Sequence, residues 1–152
     1  MRLVGLIPVT FAAVALAACG GPGAKSADGV PAVPAPKLEE LPAPYNAADL
    51  GRGKDLFGRK CGACHTIQNG KPDMVGPNLH GVFERGTAAK AGYHYSHALE
   101  GFAEATWTAE LIDQWLLSPD SFAPGTAMRL NGVTDETERR DVIAYLLIAS
   151  RE

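Results

Sequence analysis

The sequence predicts an all-α domain over residues 47–152, with about three main helices joined by long loops. Apolar residues recur at helical spacing in three stretches, glycine and proline interrupt the chain between them, and no stretch alternates apolar and polar residues as a half-buried strand does. A third observation constrains how such helices are arranged. Cys61-Gly62-Ala63-Cys64-His65 sits at the end of the first stretch and places two thiols and an imidazole on one turn, the C-x-x-C-H spacing that attaches a c-type haem. The motif places that chemistry where the first helix gives way to the long loops.

Composition narrows the classes. A chain of 152 residues, 46% hydrophobic, supports one packed core. With 14 basic against 17 acidic residues and a net charge of -3, there is no excess for binding nucleic acid.

Before the domain, residues 1–18 run from Met1-Arg2 through an apolar stretch to Leu16-Ala17-Ala18, followed by Cys19. The apolar run is shorter than the roughly 20 residues that span a bilayer, so it reads as an export signal. Leu-Ala-Ala-Cys resembles the lipobox of bacterial lipoproteins, which makes Cys19 a candidate for lipidation, several acyl chains giving a stable anchor. An ordinary signal with an incidental Cys19 is the alternative. Residues 19–46, with six prolines, read as a tether whose reach is about 80 Å if polyproline-like and about 30 Å as a coil.

The helices follow in order. Asn46 or Asp49 can cap a first helix with Leu50, Phe57 and Cys61 on one face and Gly53 permitting a close crossing. Residues 66–106 are glycine-rich and broken by Pro72 and Pro77, which predicts loops with a short helical turn near Ala88 to Ala91. A second helix is expected from Thr108 through Leu111, Ile112, Trp115 and Leu116 to Ser118-Pro119. The last spans Asp135 to Ala149, with Asp135 and Glu138 arranged as a capping box and a stripe of Val142, Tyr145, Leu146 and Ala149.

Other chemistry competes for the cysteine turn. A closed zinc site needs a fourth ligand, and the one further cysteine, Cys19, is far upstream. A thioredoxin-like pair needs a βαβ pattern that the sequence lacks. A plain disulfide stays open on the five residues alone. If His65 binds a haem iron from one face, the other face decides between an electron carrier and a gas binder. Met128 lies in an irregular stretch between helices and could cover that face; Met74 is only nine residues past His65 and is poorly placed. His80, His94 and His97 are further candidates, and spacing alone does not choose among them.

From about Asp49 to Ser150 the chain resembles a class I cytochrome c of the mitochondrial and c2-like group. The similarity runs through Gly53-x-x-x-Phe57, Cys61-x-x-Cys64-His65-Thr66, Gly76-Pro77-Asn78-Leu79-His80-Gly81, Arg85, Tyr93-x-Tyr95, Thr106-Trp107, Pro124-Gly125-Thr126-x-Met128 and the segment from Thr137 to Leu146. This resemblance implies one haem c, held covalently by Cys61 and Cys64, with His65 and Met128 as axial iron ligands. It implies that Pro77 supports His65 through its carbonyl, that the first and last helices cross where Gly53 admits Tyr145, and that Arg85, Tyr95, Trp107 and Thr126 surround the haem propionates. Buried propionates need such donors to offset their desolvation.

Two positions depart from the family pattern. Trp115 stands where a tyrosine is usual and Leu99 where an internal asparagine is common, and the ring of lysines around Met128 is reduced. Weaker electrostatic steering follows, which a membrane tether would offset by effective concentration. The resemblance implies a one-electron carrier, not an enzyme, of a respiratory or photosynthetic chain. It would be a monomer lipid-anchored in a bacterial cell envelope outside the cytoplasmic membrane, with a cytochrome bc1-type donor and a terminal oxidase or similar acceptor. The alternatives are a haem subunit of a dehydrogenase or peroxidase, or a five-coordinate sensor.

Overall fold

The computed structural model describes residues 34–152. The export signal expected over 1–18 and the lipidation expected at Cys19 lie outside those residues. Five α-helices form among them: α1 (Leu50–Lys60), α2 (His97–Glu100), α3 (Ala109–Leu117), α4 (Pro119–Phe122) and α5 (Glu136–Ala149). No strand forms among the described residues, only an isolated antiparallel bridge between Gly86 and Thr106.

The helix ends are set by side chains that satisfy the free N–H groups of the first turn. Asp49 accepts from the Arg52 N–H, Thr108 from Leu111 and Asp135 from Glu138. Pro119 ends α3 and, pre-set for helical φ, opens α4. The helical turn expected near Ala88 to Ala91 does not form; a helical turn lies instead at His97–Glu100, where Leu99 supplies a buried anchor that residues 88–91 lack.

Helices α1 and α5 cross, and Gly53 is the reason they can. A Cβ at Gly53 would stand 2.2 Å from the Asp141 carbonyl oxygen and 3.1 Å from the Tyr145 Cβ. Leu56 and Phe57 from α1 share one buried core with Val142, Ile143 and Leu146 from α5, each worth about 1.5–3 kcal/mol of burial. The stripe expected on α5 is narrower than the real one: Ile143 and Ala144 are also fully buried, because α5 packs against α1 on one side and α3 on the other.

Two charged residues of α5 fix this packing. Asp141 is completely buried and accepts from the Asp49 N–H at 3.0 Å, from Arg52 and from Arg140 at 3.2 Å, so its carboxylate is compensated and anchors the cap of α1. Arg139 donates to Asp113 on α3 at 2.8 Å and to the Val133 and Thr134 carbonyls at 3.0 Å.

Of the tether expected over 19–46, the described part from residue 34 onward includes residues of the domain core. Leu41 and Tyr45 are 6% exposed and belong to the main core, with 3-10 turns at Leu38–Glu40 and Tyr45–Ala47. Two large apolar side chains repay the ordering of this stretch, which composition alone misjudges.

Candidate functional site

A single cleft takes in Cys61, Cys64, His65, Arg85, Tyr95, Trp107, Thr126 and Met128. They come from four parts of the chain: the end of α1, the loop after it, the entry to α3 and the loop after α4. His94 also lines the cleft, whereas Met74, His80 and His97 do not. The rest of its wall is largely apolar, with Leu79, Leu99, Trp115 and Leu116 prominent.

The cysteine turn is made by α1 unwinding. Cys61 and Gly62 both donate to the Phe57 carbonyl at 2.8 Å, and Cys64 and His65 both donate to Cys61 at 2.9 Å. Both cysteines are free thiols, which disfavours the disulfide reading. Burial pushes the Cys61 thiol up to about 11, against the pull of Lys60, so it is a protonated thiol until it reacts. No group of three or more His, Cys, Asp and Glu capable of holding a metal ion occurs among the described residues, so a closed zinc site has no further partners there.

His65 is held at one nitrogen. Its Nδ1 lies 2.8 Å from the Pro77 carbonyl oxygen, which requires Nδ1 to carry the proton and leaves Nε2 as a lone-pair donor. Burial holds the imidazole below its ordinary range, opposed by that carbonyl, and so favours the neutral, ligating form. Gly76 closes against the same ring, where a Cβ would stand 2.3 Å from His65 Cε1. The glycine of Gly-Pro is thus a packing requirement of the histidine.

Beside the cysteine turn, the loop that holds His65 is tied by a network of backbone carbonyls and side-chain donors. Asn78, 4% exposed, donates from Nδ2 to Thr66 Oγ1 at 2.6 Å and to the Gln68 carbonyl at 3.0 Å, and accepts at Oδ1 from the His80 N–H at 2.8 Å. Arg85 donates to the Asn78 carbonyl at 2.7 Å and to the His80 carbonyl. Burial lowers the Arg85 pKa, opposed chiefly by Tyr95 and Asp73, and leaves it a cation in a mostly apolar cleft. Trp107 donates to the buried Thr87 carbonyl region at 3.2 Å, and Thr126 Oγ1 accepts from the Met128 N–H at 3.3 Å.

Sequence reasoning passed over Asn78 as a functional position, along with Gly76 and Thr87. Asn78 and Gly76 carried a signal, since both fall in the Gly-Pro-Asn-Leu-His-Gly run. Thr87 carried none. The unusual Trp115 joins an aromatic cluster, 5.8 Å from Trp107 and 5.4 Å from Phe122 between ring centroids, and fills the cleft wall with apolar volume.

These residues fit a covalently held haem. The two free thiols lie one turn apart beside an imidazole with Nε2 available, a thioether lines the same cleft, and Arg85 supplies a positive charge for carboxylates.

Comparison with known proteins agrees. The family model described as cytochrome c matches residues 50–150. A cytochrome c of Kluyveromyces lactis is 37% identical over 111 residues, covering 73% of this chain and 100% of that protein. A cytochrome c of Guizotia abyssinica is 40% identical over 100 residues, 66% of this chain and 89% of that one. A cytochrome c homolog of Bradyrhizobium diazoefficiens is 45% identical over 89 residues, covering 58% of this chain and 48% of that protein.

Proposed function

From the premise that this chain belongs to the cytochrome c family, we propose that it shuttles single electrons through an iron ligated by His65 and Met128. Members of the family are electron-transfer proteins and not enzymes, and the chain carries one covalently bound haem c as they do. Haem c supplies a one-electron iron couple when bound. In this reading Cys61 and Cys64 would hold the ring through their sulfurs, His65 Nε2 and the Met128 sulfur would ligate the iron, and Arg85, Tyr95, Trp107 and Thr126 would surround the propionates. With both ligands in place, a thioether would stabilise the reduced iron relative to a second histidine, and His65 and Met128 together would keep small ligands off it.

The observation that carries this reading is the meeting in one cleft of both thiols, an imidazole tied at Nδ1 and a methionine thioether delivered from a distant loop. The proposed setting is a respiratory or photosynthetic chain at the outer side of a bacterial membrane, with the protein lipid-anchored through Cys19. A cytochrome bc1-type complex would be the donor and a terminal oxidase or similar complex the acceptor. No helix among the described residues is long and apolar enough to cross a membrane.

Redox-coupled absorbance spectroscopy on the membrane fraction tests haem type, ligation and location together. The ferric protein should show the near-infrared sulfur-to-iron charge-transfer band, and the reduced protein should resist CO. Absence of the band with rapid CO binding would remove Met128 from the iron. Met128→Ala should keep the covalent haem and lower the potential, while Cys19→Ser should release the holoprotein into the soluble periplasm.

A further inference from the structure

The Pro77 carbonyl that meets His65 belongs to the same planar peptide as the Asn78 N–H. In a trans peptide these two groups point in opposite directions. The carbonyl oxygen lies 2.8 Å from His65 Nδ1, and the Asn78 nitrogen lies 2.6 Å from Asp73 Oδ1. A carboxylate, one peptide unit and the imidazole are therefore aligned in a single hydrogen-bonded chain. We propose that Asp73 is a positioning residue that tunes His65 through the Pro77–Asn78 peptide.

The physical basis is cooperativity. A negative charge accepting from a peptide N–H draws the proton toward itself and makes the carbonyl at the other end of the peptide a stronger acceptor. A stronger acceptor at Nδ1–H gives the imidazole more imidazolate character and makes Nε2 a better donor. The peptide cannot turn away from this alignment. The Asn78 side chain is bonded on three sides, its carbonyl accepts from Arg85, and Thr66 Oγ1 donates to the Pro72 carbonyl at 2.7 Å. Tyr93 holds the neighbouring Val75 carbonyl at 2.7 Å.

Asp73 itself is kept charged. Burial works against its ionisation, but the Asn78 N–H and the Lys90 ammonium at 2.9 Å outweigh it, and the carboxyl sits below its ordinary range. Lys90 touches Asp73 Oδ2, the oxygen that the peptide does not use. Charge and alignment can therefore be perturbed separately.

The inference rests on the reading of His65 as an iron ligand, and the experiment separates the two. The reduced holoprotein is compared with Asp73→Asn and Lys90→Gln by proton NMR of the His65 Nδ1–H and by redox titration. Asp73→Asn keeps an oxygen toward Asn78 and loses the charge. It should shift the Nδ1 proton upfield, speed its exchange with solvent on the order of tenfold, and raise the reduction potential, because a weaker donor stabilises ferric iron less. Lys90→Gln should lower the potential by simple charge removal without weakening the Nδ1–H bond. Asp73→Ser, a smaller neutral replacement, gives the same reading if Asp73→Asn folds poorly. An unchanged Nδ1 proton in the Asp73 variants, with potentials moving only as the two charges dictate, would overturn the relay while leaving His65 ligation intact. A parent holoprotein whose spectrum shows no histidine-bound iron would overturn both.

Discussion

Gly53 and Gly76 are forbidden a side chain by almost the same overlap, 2.2 Å and 2.3 Å for a hypothetical Cβ, yet they guard different things. Opposite Gly53 stands the backbone oxygen of Asp141, a completely buried residue of α5. Opposite Gly76 stands the ring of His65, a side chain with its own rotamers. The helix crossing has nothing that can move without separating α1 from α5. The cleft wall can yield, but only by turning the imidazole away from the Pro77 carbonyl. The crossing thus bears on stability, and the loop wall on the orientation of His65.

The sharpest way to break this contrast is Gly53→Ala. Backbone overlap in a packed crossing should cost about 3 kcal/mol or more, read as a lowered chemical denaturation midpoint of the holoprotein. A variant folded as stably as the parent would show that the helices can slide apart. Asp141→Asn comes next. It keeps the shape and removes the charge that Asp49, Arg52 and Arg140 address, and should cost about 2–3 kcal/mol with little change in reduction potential. A large change in potential would erase the division between the two regions.

On the other side of the comparison, Gly76→Ala should cost only about 1–2 kcal/mol but disturb the His65 orientation, seen as an altered ligand-field spectrum and potential. The smallest effect expected is acid loosening of the loop wall. The Asp73 carboxyl lies below its ordinary value of 3.8, so its stabilising contacts are fully present above that pH and are lost as pH falls through the lower, folded-state value. Amide exchange in the loop around Lys90 should rise below pH 3.8 in the parent and be already raised and flat in Asp73→Asn.

Much of the architecture was legible because it depends on local chemistry. Asp49, Thr108 and Asp135 announce helix starts, Pro119 announces a stop, and Cys61 through His65 announce a covalent cofactor, each by properties that act within a few residues. Leu41 and Tyr45 were misread because their neighbours are prolines; burial is a property of what lies across the fold, not of the segment. The helical turn expected near Ala88 was misplaced for the same reason, the buried Leu99 having no local signature.

By itself, then, the sequence determined the three main helices, the cofactor chemistry and the cysteine turn, since capping, periodicity and motif spacing are short-range constraints. Tertiary structure decided which groups touch at long separation: Asp141 under the cap of α1, 92 residues from Asp49, and Met128 in the same cleft as His65. It also decided that Asp73 and His65 share one peptide, because hydrogen-bond direction is fixed by the plane of that peptide and no spacing of residues encodes it.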